Sequence, residues 1–61
     1  MLTKLLRLTM LNGDNHDLTH HGSVANMRRW AMSYLQDQDI VSVSLFYTDS
    51  DGLSVEEVYG G

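Results

Sequence analysis

Apolar and polar side chains alternate along the first part of the chain, from Leu5 to Leu11 (LLRLTML). The apolar residues that point to one side are Leu6, Leu8 and Met10. Arg7 and Thr9 point to the other side, and this period of two predicts a strand. The Asn-Gly step in the following NGDNH predicts a tight turn, because both residues tolerate positive φ. DLTHH is then a short, weakly patterned second strand.

The spacing changes to that of a helix after Gly22. Ser23 is a suitable N-cap, because its hydroxyl can accept a hydrogen bond from an unpaired backbone N–H of the first turn. In the following VANMRRWAMSYLQ, apolar residues recur at helical spacing and share one face. They are Val24, Met27, Ala31, Tyr34 and Leu35. The segment therefore predicts an amphipathic helix, and Trp30 flanks its apolar face.

A hairpin follows the helix. The segment from Ile40 to Tyr47 (IVSVSLFY) is the clearest strand in the chain. Its alternation predicts one face formed by Val41, Val43, Leu45 and Tyr47. Asp51-Gly52 within TDSDG predicts a second tight turn, and LSVEEVY returns as the fourth strand, with Leu53, Val55 and Tyr59 on one face.

These elements predict one α+β domain over residues 1–61, with the order ββαββ and the helix on one face of a four-stranded antiparallel sheet. The first and third strands are the most apolar, which favours them as the central pair. Adjacent Glu56 and Glu57 place one carboxylate on each face of the last strand, which is typical of a sheet edge. The predicted strand order is therefore 2-1-3-4.

The sheet face away from the helix is predicted to be an interface. It combines apolar residues with polar ones, a mixture too apolar for a fully solvated surface and too polar for a core. Its members are Leu5, Arg7, Thr9, Leu11, Ser42, Ser44, Phe46, Glu56 and Val58. We expect a homodimer or a larger assembly, formed through this face or through an edge strand. The predicted contact residues are Leu5, Trp30, Phe46, Glu56 and Val58.

Composition narrows the classes of function. A chain of 61 residues buries about 60% of its unfolded surface and is marginally stable, and the absence of cysteine leaves self-association as the expected reinforcement. The net charge of −4 disfavours direct nucleic-acid binding, which needs clustered cations. No apolar run reaches the roughly 20 residues that span a bilayer, so we expect a cytoplasmic protein with no membrane contact.

Catalytic and metal chemistry have little support in the sequence. The serines stand without a plausible histidine base and orienting acid, so no catalytic residue is assigned and no enzyme activity is expected. His16, His20 and His21 have the ligand type that zinc prefers. On a strand, however, His20 and His21 face opposite sides, and His16 lies about 13 Å from His20. We therefore expect no metal and no cofactor.

The chain ends in VYGG. In size, element order and the terminal Gly60-Gly61 it resembles the ubiquitin-like sulfur carriers and modifiers, which have a β-grasp fold. The resemblance implies that Gly61 would carry an acyl-adenylate or thiocarboxylate, and that the last strand would lie parallel to the first at the sheet centre. This remains the alternative to an interaction module.

The expected function is non-catalytic binding of another macromolecule. In size, charge and architecture the chain is similar to small accessory or inhibitor proteins of bacteria, phages and mobile elements. If the partner is a nucleic-acid enzyme, carboxylates would imitate phosphate charge. Those carboxylates are Asp37, Asp39, Asp49, Asp51, Glu56 and Glu57.

Overall fold

A computed structural model of the chain describes residues 4–19 and 22–60. Its elements in chain order are β1 (Leu5–Met10), β2 (Asn15–Leu18), α1 (Val24–Tyr34), β3 (Ile40–Thr48) and β4 (Ser54–Gly60). The four strands form one sheet in the order β2-β1-β3-β4, and every neighbouring pair is antiparallel. The helix packs against one face of this sheet. The predicted ββαββ fold and the order 2-1-3-4 are confirmed.

The hydrophobic core lies between α1 and the two central strands. Strand alternation directs every second side chain toward the helix, and the helix contributes residues spaced four apart. The buried apolar residues are Leu6, Leu8, Met27, Ala31, Ile40, Val43 and Leu45. Partly buried side chains close the margins of this core, among them Leu35, Tyr47 and Tyr59. The core is therefore one layer of side chains between α1 and the sheet.

A β-bulge changes the inward face at the start of β3. Thr9 pairs with Ser42, but the next residue of β1, Met10, pairs with Ile40. Val41 is the extra residue, so Ile40 faces the core while Val41 is 40% exposed. The sequence prediction that placed Val41 on the core face was wrong, because regular alternation was continued through a position that the ladder skips.

The helix begins where the sequence indicated and ends earlier. The hydroxyl of Ser23 accepts a hydrogen bond from the backbone N–H of Asn26 at 3.2 Å, as expected of an N-cap. The last helical residue is Tyr34, and Leu35 forms the C-cap. None of the helices in the described part of the chain has the length and apolar character needed to cross a membrane.

The β3–β4 turn is held by one carboxylate. Oδ1 of Asp49 accepts hydrogen bonds from the backbone N–H groups of Asp51 and Leu53, each at 2.9 Å. Gly52 adopts φ +82°, which favours glycine. The predicted hairpin turn is present, although Leu53 precedes β4 rather than belonging to it.

Candidate interaction surface

The sheet face that points away from α1 is called the open face here. The register assigns its members: Leu5, Arg7, Thr9, Asn15, Asp17, Ser42, Ser44, Phe46, Glu56 and Val58. Leu11, which the sequence pattern added to this face, lies in the turn beyond β1. Alternation of the strands therefore places most of the predicted interface residues on one surface.

An apolar patch lies across the three strands β1, β3 and β4. Leu5 is the direct cross-strand neighbour of Phe46. Val58 lies diagonally from Phe46, because it pairs with Ser44 two residues earlier in β3. Leu5 and Phe46 are half-buried and Val58 is 61% exposed. These three side chains, which we call the apolar patch, are contiguous on the open face.

Charged groups stand on both flanks of the apolar patch. On the β1 side, Arg7 makes two hydrogen bonds with Asp17, at 2.8 and 3.2 Å. The guanidinium carbon of Arg7 lies 5.3 Å from the centre of the Phe46 ring, a cation–π arrangement. On the β4 side, Glu56 is the cross-strand neighbour of Phe46. The patch therefore has a cation over one side and a carboxylate beside the other.

The pKa values of Arg7 and Asp17 reflect their contacts. Hydrogen bonding to Asp17, and then its charge, raises the pKa of Arg7, and Glu56 adds a smaller effect in the same direction. The hydrogen bonds from Arg7 lower the pKa of Asp17. Both side chains are more than 40% exposed, so the ion pair contributes little to stability. It fixes the position of the guanidinium above Phe46.

Trp30 does not belong to this surface. It lies on α1, in the layer on the other side of the sheet, and it is 45% exposed. Its ring contacts that of Tyr34 at a centroid distance of 6.0 Å. Of the five predicted contact residues, the structure brings together Leu5, Phe46, Glu56 and Val58, and it places Trp30 on the opposite side of the molecule.

A polar cluster joins the helix to β4, and the sequence patterns did not identify it. Arg28 binds both carboxylate oxygens of Glu57, at 2.9 and 2.8 Å. The hydroxyl of Tyr47 donates to Glu57 at 2.7 Å, and the hydroxyl of Tyr59 donates to its other oxygen. Arg28 and Glu57 thus form an ion pair within one chain.

These contacts strongly perturb the titration of Glu57. The hydrogen bond from Arg28, followed by those from the two tyrosines, holds the pKa of Glu57 far below its ordinary value of 4.5. The same contacts raise the pKa of Arg28 and, chiefly through the hydrogen bond to Glu57, those of Tyr47 and Tyr59. Glu57 is thus a satisfied, charged group on the helix side of the sheet. Its alternation with Val55 and Tyr59 was the signal in the sequence that indicated this side.

The remaining candidate ligands are dispersed. His16 is exposed on β2, and His20 and His21 lie outside the described residues. Within residues 4–19 and 22–60, no three His, Cys, Asp or Glu side chains are grouped so that they could hold a metal ion.

A shallow cleft of about 460 Å³ at the β1–β2 turn is lined by Met10, Leu11, Asn12, Asp14, His16 and Asp39.

The carboxylates suggested as phosphate mimics do not form one row. Asp37 and Asp39 precede β3, whereas Asp49 and Asp51 follow it, and nine residues of extended strand separate the two pairs by about 30 Å. Glu57 faces the helix. Only Glu56 of this set lies on the open face.

Gly60 is a packed strand residue. It is the last residue of β4 and pairs with Ser42. Its φ is +81°, and a Cβ built on it would lie 2.7 Å from Cδ2 of Leu35. Gly61 lies outside the described residues. The strand order also differs from that implied by the β-grasp resemblance, because β4 pairs antiparallel with β3 and not with β1.

No protein-family model matches the chain, and neither the curated proteins nor the solved structures contain a significant match to it. The functional argument therefore rests on the surfaces and contacts described above.

Proposed function

We propose that the protein is a small, acidic, non-catalytic interaction module of the accessory or inhibitor type, which works as a homo-oligomer through the open face of its sheet. The observation that supports this proposal is the apolar patch of Leu5, Phe46 and Val58 on the face that points away from α1. Side chains of this size stabilise a protein when they leave water. Here they remain at the surface of a chain with a small core.

The two sheet edges are less suitable for association than the face between them. β2 is only four residues long and its residues Asn15, His16 and Asp17 are polar and exposed. β4 is longer, but it carries an inward-pointing carboxylate, Glu57, of the kind that protects edge strands from pairing. We therefore assign association to the open face.

The proposal predicts that Phe46→Asp abolishes association. Phe46 is at the centre of the apolar patch. A carboxylate there would bring a charge among apolar groups and beside Glu56, while the nearby Arg7 is already paired with Asp17. Sedimentation equilibrium of the wild type over a range of concentrations is expected to show a dimer, and the variant a monomer of unchanged circular dichroism.

Met32→Asp is the matched control. Met32 is also apolar and 54% exposed, but it lies on α1, on the opposite side of the molecule. This variant is expected to associate as the wild type does. A wild type that remains monomeric at every concentration would contradict the proposal, and so would equal loss of association in both variants.

A further inference from the structure

We infer that the open face is covered by a second copy of this chain, with the two sheets stacked so that β1 of each copy lies opposite β4 of the other and Arg7 of each lies diagonally opposite Glu56 of the other. This inference rests on the proposed function. It adds the occupant, the relative arrangement and the charged contacts that select it.

The size of the face fits such a pair. The Cα trace measures 35 × 18 × 17 Å, and the long dimension agrees with the nine-residue β3. A face of this outline has an area of about 600 Å². The proposed stacking overlaps β1, β3 and β4 but not β2, so two copies would bury about 900 Å² in total, which is the size of a weak interface. The pair is therefore expected to dissociate on dilution.

Two-fold symmetry restricts the possible arrangements of the two copies. Two identical chains that pack face to face are related by a two-fold axis that lies in the plane of the interface. If the axis runs along β3, the strands on either side of β3 exchange places, so β1 of one copy meets β4 of the other. Sheets stacked in this way keep their strands within about 30° of one another. Phe46, on β3, then meets its own counterpart.

Charge complementarity favours this occupant. Among the described residues of the open face, the cation is Arg7 on β1, and Glu56 lies on β4 at the other side of Phe46. No hydrogen bond or ion pair to Glu56 exists among the described side chains. Arg7 is level with Ser44 along the strands and Glu56 is level with Phe46, two residues further along β3. The guanidinium of Arg7 leans over Phe46, so the stacking just described places it diagonally opposite Glu56 of the other copy, twice per dimer. The carboxylates Asp17 and Glu56 make the same face unsuitable for nucleic acid, whose phosphates they would repel.

A pair of charge reversals tests this arrangement. R7E alone places glutamate opposite glutamate, and E56R alone places arginine opposite arginine, so each homodimer should weaken by about tenfold or more in Kd. In a heterodimer of R7E with E56R, both contacts join opposite charges. Native mass spectrometry of the mixture is expected to show the heterodimer in large excess over either homodimer.

The control mixture combines R7E with M32R, which adds a cation on the helix side of the molecule. It should give no preferred heterodimer, because residue 32 lies outside the open face. Circular dichroism of each variant shows whether the monomer folds, and the mixing result itself requires contact between two chains.

The outcomes separate this inference from the proposed function. The arrangement is supported if heterodimers are preferred in the mixture of R7E with E56R and are not preferred in the mixture of R7E with M32R. A wild type that dimerises and is broken by Phe46→Asp, but shows no preferred pairing on mixing, overturns the arrangement and leaves the proposed function standing. A wild type that remains monomeric overturns both.

Discussion

Glu57 accepts four hydrogen bonds, from Arg28, Tyr47 and Tyr59. Its side chain is only 23% exposed, whereas that of Arg28 is 49% exposed. Both oxygens are therefore occupied by donors at the place where α1 meets β4. The negative charge of Glu57 would be costly at this partly buried position, but hydrogen-bond donors from α1, β3 and β4 stabilise it.

The cluster predicts a specific pH dependence. The pKa of Glu57 is lower in the folded state than its ordinary value of 4.5, so its stabilising effect is present above that pH and is lost as the pH falls toward the folded pKa. Glu57→Gln should lower the melting temperature at pH 7 by about 5 °C. The difference from the wild type should shrink steadily below pH 4.5, as measured by thermal unfolding over a pH series.

Arg29→Gln is the appropriate comparison, because it removes a neighbouring arginine that has no part in the cluster. Its stability is expected to follow the wild-type pH curve in shape. A constant difference between Glu57→Gln and the wild type from pH 7 to pH 2 would contradict the assigned role of the carboxylate.

At the scale of the elements, β4 is held at both ends of its length. The Asp49 turn starts it, and Gly60 ends it against α1. At Gly60, a side chain would meet Cδ2 of Leu35 at 2.7 Å and the carbonyl oxygen of Val41 at 3.1 Å. The last glycine of the strand thus allows the end of the helix and the start of β3 to approach the sheet edge.

Two alanine substitutions separate backbone strain from this close approach. Gly52 and Gly60 have φ of +82° and +81°, but nothing lies within 4 Å of a Cβ built on Gly52. Gly52→Ala should cost about 1 kcal/mol through its backbone conformation. Gly60→Ala should cost about 1–2 kcal/mol more, because the new methyl group displaces packed atoms. Urea unfolding of both variants measures the difference, and equal costs would show that the packing at Gly60 is loose.

The sequence predicted the elements well where local signals were strong. Alternation identified β1 and β3, Ser23 identified the start of the helix, and strand hydrophobicity gave the correct order of the sheet. The bulge at Val41 was not predictable, because it results from the pairing of β3 with a distant strand. The extent of β2 was wrong for a related reason: its pairing with β1, rather than its own weak pattern, sets its limits at Asn15 and Leu18.

The candidate surface was predictable in part. Alternation placed Leu5, Phe46 and Val58 on one face once the strand order was known. Trp30 was expected as a contact residue because tryptophan is enriched at interfaces, although its place beside the apolar face of α1 already put it in the helix layer. The cluster around Glu57 combines residues from α1, β3 and β4, and only the folded sheet brings these three elements together.

The whole molecule has a small core for its surface. A chain of this length has little stability to spare, and association through the open face would add to it by mass action. We therefore expect the melting temperature of the wild type to rise with protein concentration.

Phe46→Asp should remove this concentration dependence while leaving cooperative unfolding. Scanning calorimetry over a hundredfold range of concentration is the measurement. A wild-type melting temperature that stays constant over this range would argue against association coupled to stability.

The bulge has a consequence for how the chain could change in length. Val41 is the residue that has no partner in β1. Removing it would place Ile40 directly before Ser42, where regular alternation also points a side chain into the core. A one-residue deletion at this site would therefore preserve the division between inside and outside along β3, whereas a deletion at Val43 or Ser44 would invert it. Related chains that differ by one residue in length are expected to carry their gap at position 41.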